Sequence, residues 1–222
     1  MKSILRFSGI ILIIVLIQSC KKEVDSAIRD IDGNAYSTVT IGTQVWMVEN
    51  LKTTRYNDGS AISLVTDGAA WVTLSAPGYC WYANDKFSNK AAYGALYNWY
   101  AANNAKLCPT GWHVPADTDF TTLTTYLLGL DVAGGKLKEA GTTNWTNPNT
   151  GATNETGFTA LPGGYRNIDG VFYFIGDYGR WWTSSEFDIQ SGWGRGMGYD
   201  RSSVSIYGYI KQIGFSVRCL KY

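Results

Sequence analysis

Hydrophobic and polar positions alternate along two stretches near the start of the folded part of the chain. Tyr36-Ser-Thr-Val-Thr-Ile41 and Gln44-Val-Trp-Met-Val-Glu-Asn-Leu51 flank Gly42-Thr43, and β-branched and aromatic residues around a glycine turn predict a hairpin. From Thr53 to Gly78 the pattern is polar and broken at Asp58-Gly59, Asp67-Gly68 and Pro77-Gly78, which predicts loops with brief strands. Tyr79-Cys-Trp-Tyr82 then reads as a short aromatic strand.

The period changes after that strand. Tyr93, Leu96, Tyr97, Tyr100 and Ala101 fall at helical spacing, so Lys90 to Ala105 is predicted as a helix whose stripe faces the core rather than a ligand. Phe120, Leu123, Thr124, Leu127 and Leu128 predict a second helix from near Asp117, ended by Gly129. A third helical piece is expected within Val132 to Ala140. Beyond Gly141, short apolar bursts at 158–161, 171–175, 181–184 and 214–220 stand among Gly, Asn, Thr, Tyr and Trp, the pattern of a strand meander under long loops. Trp181 and Trp182 are adjacent on a strand and must face opposite sides. Helices first and strands later, without alternating units, give an α+β class with two main helices and a small, mostly antiparallel sheet.

The N-terminus reads as an address. Lys2 and Arg6 precede an apolar run, Phe7 to Ile17, far shorter than the roughly 20 residues that cross a bilayer and typical of a signal peptide. Leu16-Ile17-Gln18-Ser19-Cys20 resembles a bacterial lipobox. That resemblance implies cleavage before Cys20, diacylglycerol on its thiol and an acyl chain such as palmitate on its amino group, which together anchor a protein to a membrane. The expected organisation is a lipoprotein signal peptide at 1–19, the lipidated cysteine and a tether containing Lys21-Lys-Glu-Val-Asp25 at 20–29, and one domain at 30–222. The charged tether loosely resembles a surface-export signal of Bacteroidetes, and an outer-membrane lipoprotein at the cell surface or periplasmic face is the expectation.

Charge and cysteines narrow the picture further. The chain carries 19 Lys+Arg against 18 Asp+Glu, so no basic field recommends a nucleic acid as partner. Setting Cys20 aside leaves Cys80, Cys108 and Cys219 in a compartment that permits disulfides. One pair and one buried spare thiol is the simplest reading. Cys108 with Cys219 is the favoured pair, closing a loop of about 110 residues, while pairing of Cys80 with either stays open.

Seven ordered phrases together resemble the Fibrobacter succinogenes major paralogous domain, over about residues 30 to 222. They are Tyr79-Cys-Trp-Tyr82, Tyr93-Gly-Ala-Leu-Tyr-Asn-Trp-Tyr100, Leu107-Cys-Pro-Thr-Gly-Trp-His-Val-Pro115, Ala133-Gly-Gly-Lys-Leu-Lys138, Gly157-Phe-Thr-Ala-Leu-Pro-Gly-Gly-Tyr-Arg166, Trp181-Trp-Thr-Ser-Ser-Glu186 and Gly214-Phe-Ser-Val-Arg-Cys219. Such domains occur on lipoproteins of Bacteroidetes, and the resemblance supplies no established activity. Gly-Trp-His-Val-Pro, Pro-Gly-Gly-Tyr-Arg and Gly-Phe-Ser-Val-Arg-Cys are more distantly similar to the formylglycine-generating enzyme group, which implies a C-type lectin-like fold with long aromatic-rich loops. Ala116 departs from that pattern where Ser or Thr would cap the helix, leaving Asp117 to cap instead.

Chemistry is thinly signalled. His113 is the sole histidine and sits in the phrase that starts a helix, where a structural role outweighs a catalytic one, so no metal site, cofactor or catalytic residue is assigned. Glu155, Asp177, Glu186 and Asp188 have no spacing that marks a glycosidase. Nine Trp and fifteen Tyr exceed what a small core obviously needs, and flat rings beside Asn, Asp and Arg suit sugars or protein hot spots. The candidate ligand residues are Tyr165, Arg166, Tyr173, Arg180, Trp193, Arg195 and Tyr199. The expected function is a non-enzymatic binding module for glycan or a surface protein. A structural or assembly subunit is the alternative, and an enzyme such as a carboxylate-based glycosidase comes third.

Overall fold

The computed structural model describes residues 27–222; the expected signal peptide, Cys20 and the Lys21–Asp25 part of the expected tether lie outside the described residues. Strands β1 (Ile28–Arg29) and β2 (Ala35–Tyr36) pair with each other, and β3 (Thr38–Ile41) and β4 (Gln44–Met47) form the expected hairpin. Next come β5 (Ser63–Leu64), α1 (Gly68–Val72), β6 (Gly78–Cys80), α2 (Lys86–Tyr93), β7 (Leu96–Tyr97), α3 (Trp99–Ala102) and β8 (Trp112–His113). Helices α4 (Asp117–Tyr126) and α5 (Leu130–Leu137) follow. The last third supplies β9 (Gly163–Arg166), β10 (Phe172–Ile175), β11 (Tyr178–Glu186), β12 (Ser191–Gly198), β13 (Val204–Ile210) and β14 (Leu220–Lys221).

The expected α+β, C-type lectin-like fold with two main helices and a small sheet does not form. The described chain is mostly β: four sheets, the largest in the order β10-β9-β11-β12-β13, with five short α-helices of at most ten residues among the described residues. A strand buried on both faces explains the difference. Trp181 packs in one core cluster with Trp46, Phe120 and Leu123, while its neighbour Trp182 packs in the other with Trp99, Phe215 and Val217. Trp46 and Met47 divide between the same two clusters on β4. Both tryptophans of β11 are therefore core, and the sheet is the centre of the molecule rather than an appendage to helices.

The helix predicted over 90–105 breaks into a helix, a strand and a single turn. Gly94 takes φ 74°, and a Cβ there would meet the Leu51 carbonyl at 2.7 Å, so the chain turns closely against its neighbour. Leu96 and Tyr97 then pair as β7 with β6. The Asn98 side chain accepts from the Gly78 and Ala101 N–H groups at 3.0 and 3.1 Å, which ends the strand and caps α3. Leu96, Tyr97 and Ala101 are buried, as the stripe required, but in two different elements.

Helix α4 starts as expected and buries Phe120, Leu123 and Thr124. Asp117 is not its cap. Ala116 occupies the cap position, and the Asp119 carboxylate reaches back to accept its N–H at 2.8 Å, half of a capping box. The helix closes at Leu127; Leu128 takes φ 76° and is exposed, and Gly129 with φ 102° leads into α5, which begins before the predicted Val132.

A Cys108–Cys219 disulfide joins the loop before β8 to the residue before β14, with Cα atoms 6.0 Å apart. Cys80 is a buried free thiol, pushed up to about 12 by burial. Strand β14 is central in its sheet, with Leu220 paired to both Trp46 and His113. No helix among the described residues is long and apolar enough to cross a membrane.

Candidate functional site

Strand β12 reads Ser191-Gly-Trp-Gly-Arg-Gly-Met-Gly198, with glycine at every second position. Because side chains alternate across a strand, Gly192, Gly194, Gly196 and Gly198 all fall on one face. Register sets what flanks them: Tyr178 and Arg180 on β11 oppose Gly198 and Gly196, and Ser205, Tyr207 and Tyr209 on β13 oppose Gly196, Gly194 and Gly192. The result is a glycine floor between two walls of long side chains. Part of the floor is roofed, since a Cβ at Gly192 would collide with the Trp99 indole at 2.2 Å and one at Gly194 with the Tyr209 ring at 2.8 Å. At Gly196 the nearest atom is the Ser205 hydroxyl, and the trough stays open.

The open part is a cavity of about 130 Å³ lined by Tyr178, Arg180, Gly196, Gly198, Arg201 and Tyr207, among others. Sites that enclose whole small molecules measure about 300–1,000 Å³, so this one accommodates one ring edge or substituent of a larger ligand. Aromatic rings extend the surface outward from it. Tyr165, Tyr173 and Phe174 lie within 6.0 Å of one another, and Phe174 packs edge-on to Tyr178 at 5.4 Å. Tyr207 and Phe174 are 60% and 45% exposed, enough for contact with a ligand. A larger cavity of about 570 Å³ lies beside Ala27 and Ile28, between β2 and the β3–β4 hairpin. Its two aromatic residues, Tyr36 and Trp112, are buried in the core, whereas the trough presents exposed rings and is the stronger candidate.

Arg180 is the charged group of the trough that has no ion-pair partner among the described residues. Its guanidinium carbon stands 4.9 Å from the Tyr165 ring, 5.1 Å from Tyr209, 5.5 Å from Tyr178 and 5.9 Å from Phe215, and Nη1 donates to the Tyr209 hydroxyl. Burial raises the Tyr209 hydroxyl pKa and Arg180 partly opposes that rise. Arg201 is tied to Asp200 through two hydrogen bonds of 2.8 Å.

The seven residues nominated from sequence separate into three groups. Tyr165, Tyr173 and Arg180 come together on the trough face. Tyr199 stands at its end, edge-on to Tyr178 at 6.3 Å, and Trp193 points to the other face against Phe187 at 4.5 Å. Arg166 and Arg195 are buried and built into the frame. Arg166 donates to the carbonyls of Gly170, Val65 and Thr66 and stacks on Trp71 and Phe172; Arg195 donates to the Asp117 carboxylate. Tyr178, Tyr207, Tyr209 and the glycine stripe were missed, although the alternation at 191–198 was visible as a period of two.

The other candidate chemistry is structural. His113 stacks on Tyr222 at 4.5 Å with Nε2 3.3 Å from Asp119, at the start of α4. Glu155 and Glu186 pair with Lys136 and Lys211 at 3.1 and 2.7 Å. No group of three His, Cys, Asp or Glu residues could hold a metal ion among the described residues. Lys138 is fully buried, with Nζ donating to the carbonyls of Thr150, Gly198 and Arg201 at 2.8–3.0 Å, so it braces the trough from below.

The phrases used to recognise the chain occupy this scaffold: β6, the disulfide loop, Lys138, β9, β11 and the residues before β14. No curated protein and no solved structure matches the chain. The family model described as the Fibrobacter succinogenes major domain matches residues 39–221, and the chain belongs to that family.

Proposed function

We propose that this protein is a non-catalytic, glycan-binding module of the cell envelope, held to a membrane by lipid on Cys20, with the trough over β11, β12 and β13 as its ligand surface. The observation that carries the reading is the all-glycine floor of β12 between Tyr178 and Arg180 on one side and Tyr207 on the other. Removing every side chain from one face of a central strand sacrifices packing and strand propensity. The return is a flat, shallow slot where a ring can lie on backbone and meet tyrosine edges and hydroxyl groups. Exposed Tyr207 and the half-buried Tyr165, Tyr173 and Tyr178 supply contact area at low conformational cost, as in other aromatic recognition surfaces.

The test is a glycan array probed with the full chain purified in detergent, alongside Tyr207→Ala and Gly196→Val. Val suits a strand, and its side chain fills the open floor after a shift of the Ser205 hydroxyl. Loss of glycan retention in both variants, with unchanged circular dichroism, is the expected result. Retention unaffected by both would refute the trough, and no retention of any glycan by the wild type would favour the assembly-subunit alternative.

A further inference from the structure

We infer that the trough selects a carboxylate-bearing sugar, with Arg180 as the residue that reads the carboxylate; this rests on the glycan-binding reading above. The first reason is charge. Arg201 is matched by Asp200, whereas no carboxylate among the described residues pairs with Arg180. The slot therefore presents one uncompensated positive charge to whatever enters it.

The second reason is unused donor capacity. A guanidinium offers five N–H donors in a planar fork. Arg180 spends Nη1 on the Tyr209 hydroxyl, while Nε is enclosed without an acceptor and Nη2 has none among the described residues. The buried arginines of the frame are treated differently. Arg166 has three carbonyls, Arg218 has the carbonyls of Phe158 and Thr159 with Asn50 Oδ1, and Arg195 has Asp117 although its Nε also lacks a partner. The Arg180 Nη2 group, left without an acceptor among the described residues at the edge of a cleft, marks where an acceptor from a ligand belongs.

The third reason is rigidity. Tyr165, Tyr178, Tyr209 and Phe215 surround the Arg180 guanidinium, so little rotamer freedom is left to lose on binding. A planar acceptor such as carboxylate matches one held fork. A phosphate group, with more charge and more acceptors, draws on several donors or a helix N-terminus, whereas the trough has, among the described residues, one cation without an ion-pair partner, and it stands on a strand. The cleft of about 130 Å³ accommodates a carboxylate and the ring edge that bears it.

The experiment uses the full chain in detergent on an array that prints uronic-acid oligosaccharides beside their carboxyl-reduced counterparts, at low and high salt. The expected result is retention on the acidic members, weakened by salt, with little on the reduced ones. Arg180→Gln should lower affinity for the acidic members by roughly tenfold or more, and Arg180→Lys, which keeps charge but not the fork, should recover only part of it. Equal retention of acidic and reduced members would overturn the carboxylate preference while leaving glycan binding intact. Retention of neither would overturn both, and an acidic response unchanged in Arg180→Gln would remove Arg180 from the site. Comparison of wild type at two salt concentrations decides the charge question even if Arg180→Gln proves misfolded by circular dichroism.

Discussion

The disulfide is where a perturbation can be worked most completely from structure. Cys108 and Cys219 are 111 residues apart in sequence, and Cys219 immediately precedes β14, a strand of two residues that nonetheless sits in the middle of its sheet. The segment is anchored by backbone bonds from Met47 N–H to the Cys219 carbonyl at 3.0 Å and from Leu51 N–H to the Val217 carbonyl at 2.8 Å. Without the covalent link, closing those contacts requires the unfolded chain to bring its end back across that whole loop. The chain-entropy relation gives about 16 cal/mol/K for a loop of this size, or about 4.8 kcal/mol at 25 °C.

That is a large share of the roughly 5–15 kcal/mol by which domains are stable. The double substitution Cys108→Ala and Cys219→Ala removes the link together with two fully buried sulfurs. Urea unfolding followed by tryptophan fluorescence is the assay. With m near about 2 kcal/mol/M, the midpoint should fall by roughly 2–2.5 M. Because the loss arises in the unfolded chain, the variant should keep the wild-type far-UV spectrum before its transition and mainly refold more slowly. A midpoint shift below about 0.5 M would refute the argument, as would a shift carried wholly by faster unfolding.

Three further outcomes follow from local geometry. Cys80 should resist a thiol reagent at pH 8 in the native chain, because burial holds its thiol at about 12; on unfolding without reductant it should label, and mass spectrometry should show a single labelled thiol if Cys20 is lipidated and two if it is free. Burial pushes the Asp32 carboxyl upward, but hydrogen bonds from Thr54 and Arg55 outweigh it and hold the group below its usual 3.8; its contribution is thus present above that pH and lost as pH falls through the depressed value, and urea melts between pH 5 and pH 2 should show a drop that Asp32→Asn lacks. Gly192→Ala should destabilise by about 1–3 kcal/mol by driving a methyl into Trp99, whereas Gly196→Ala, which meets only the Ser205 hydroxyl, should cost under about 1 kcal/mol; equal effects would refute the roofed and open halves of the trough.

What was legible in the sequence was what local chemistry decides. The hairpin at 38–47 follows from alternation around Gly42, and α4 from a stripe that has no competing partner. The segment 90–105 was misread because burial at i, i+3 and i+4 does not by itself specify a helix; a strand between two buried layers fills the same positions, and Gly94 and Asn98 decide for the strand. Strand β12 was hidden for the opposite reason. Glycine has poor strand propensity, so four of them in eight residues read as loop, yet each is required by a neighbour that overlies the backbone or by the slot itself. The α+β, C-type lectin-like expectation failed with these two segments, since converting them moves the weight of the fold from helices to sheets.

The cations explain why the candidate site is only partly legible in the sequence. A fold built from short strands and long loops leaves many carbonyls that no ladder satisfies, and each buried one needs a donor. Lys138, Arg166 and Arg218 meet that need: between them they serve carbonyls from Val65, Thr66, Thr150, Phe158, Thr159, Gly170, Gly198 and Arg201, each gathering two or three carbonyls onto one charged head. Burial disfavours the charge of Lys138 and Arg218 and pulls their pKa values down to about 8 and about 9, a shift that Asp200 and Glu49 oppose only in part. An arginine beside aromatic residues is therefore as much the signature of a loop brace as of a ligand site, which is why Arg166 and Arg195 were nominated alongside Arg180. The discriminating feature is whether the guanidinium serves a carbonyl or carboxylate of the frame, a property of three-dimensional neighbours rather than of spacing. Arg180 shares the aromatic surroundings of the braces but donates to no loop carbonyl among the described residues, and this difference is what assigns it to the proposed ligand face rather than to the frame beneath it.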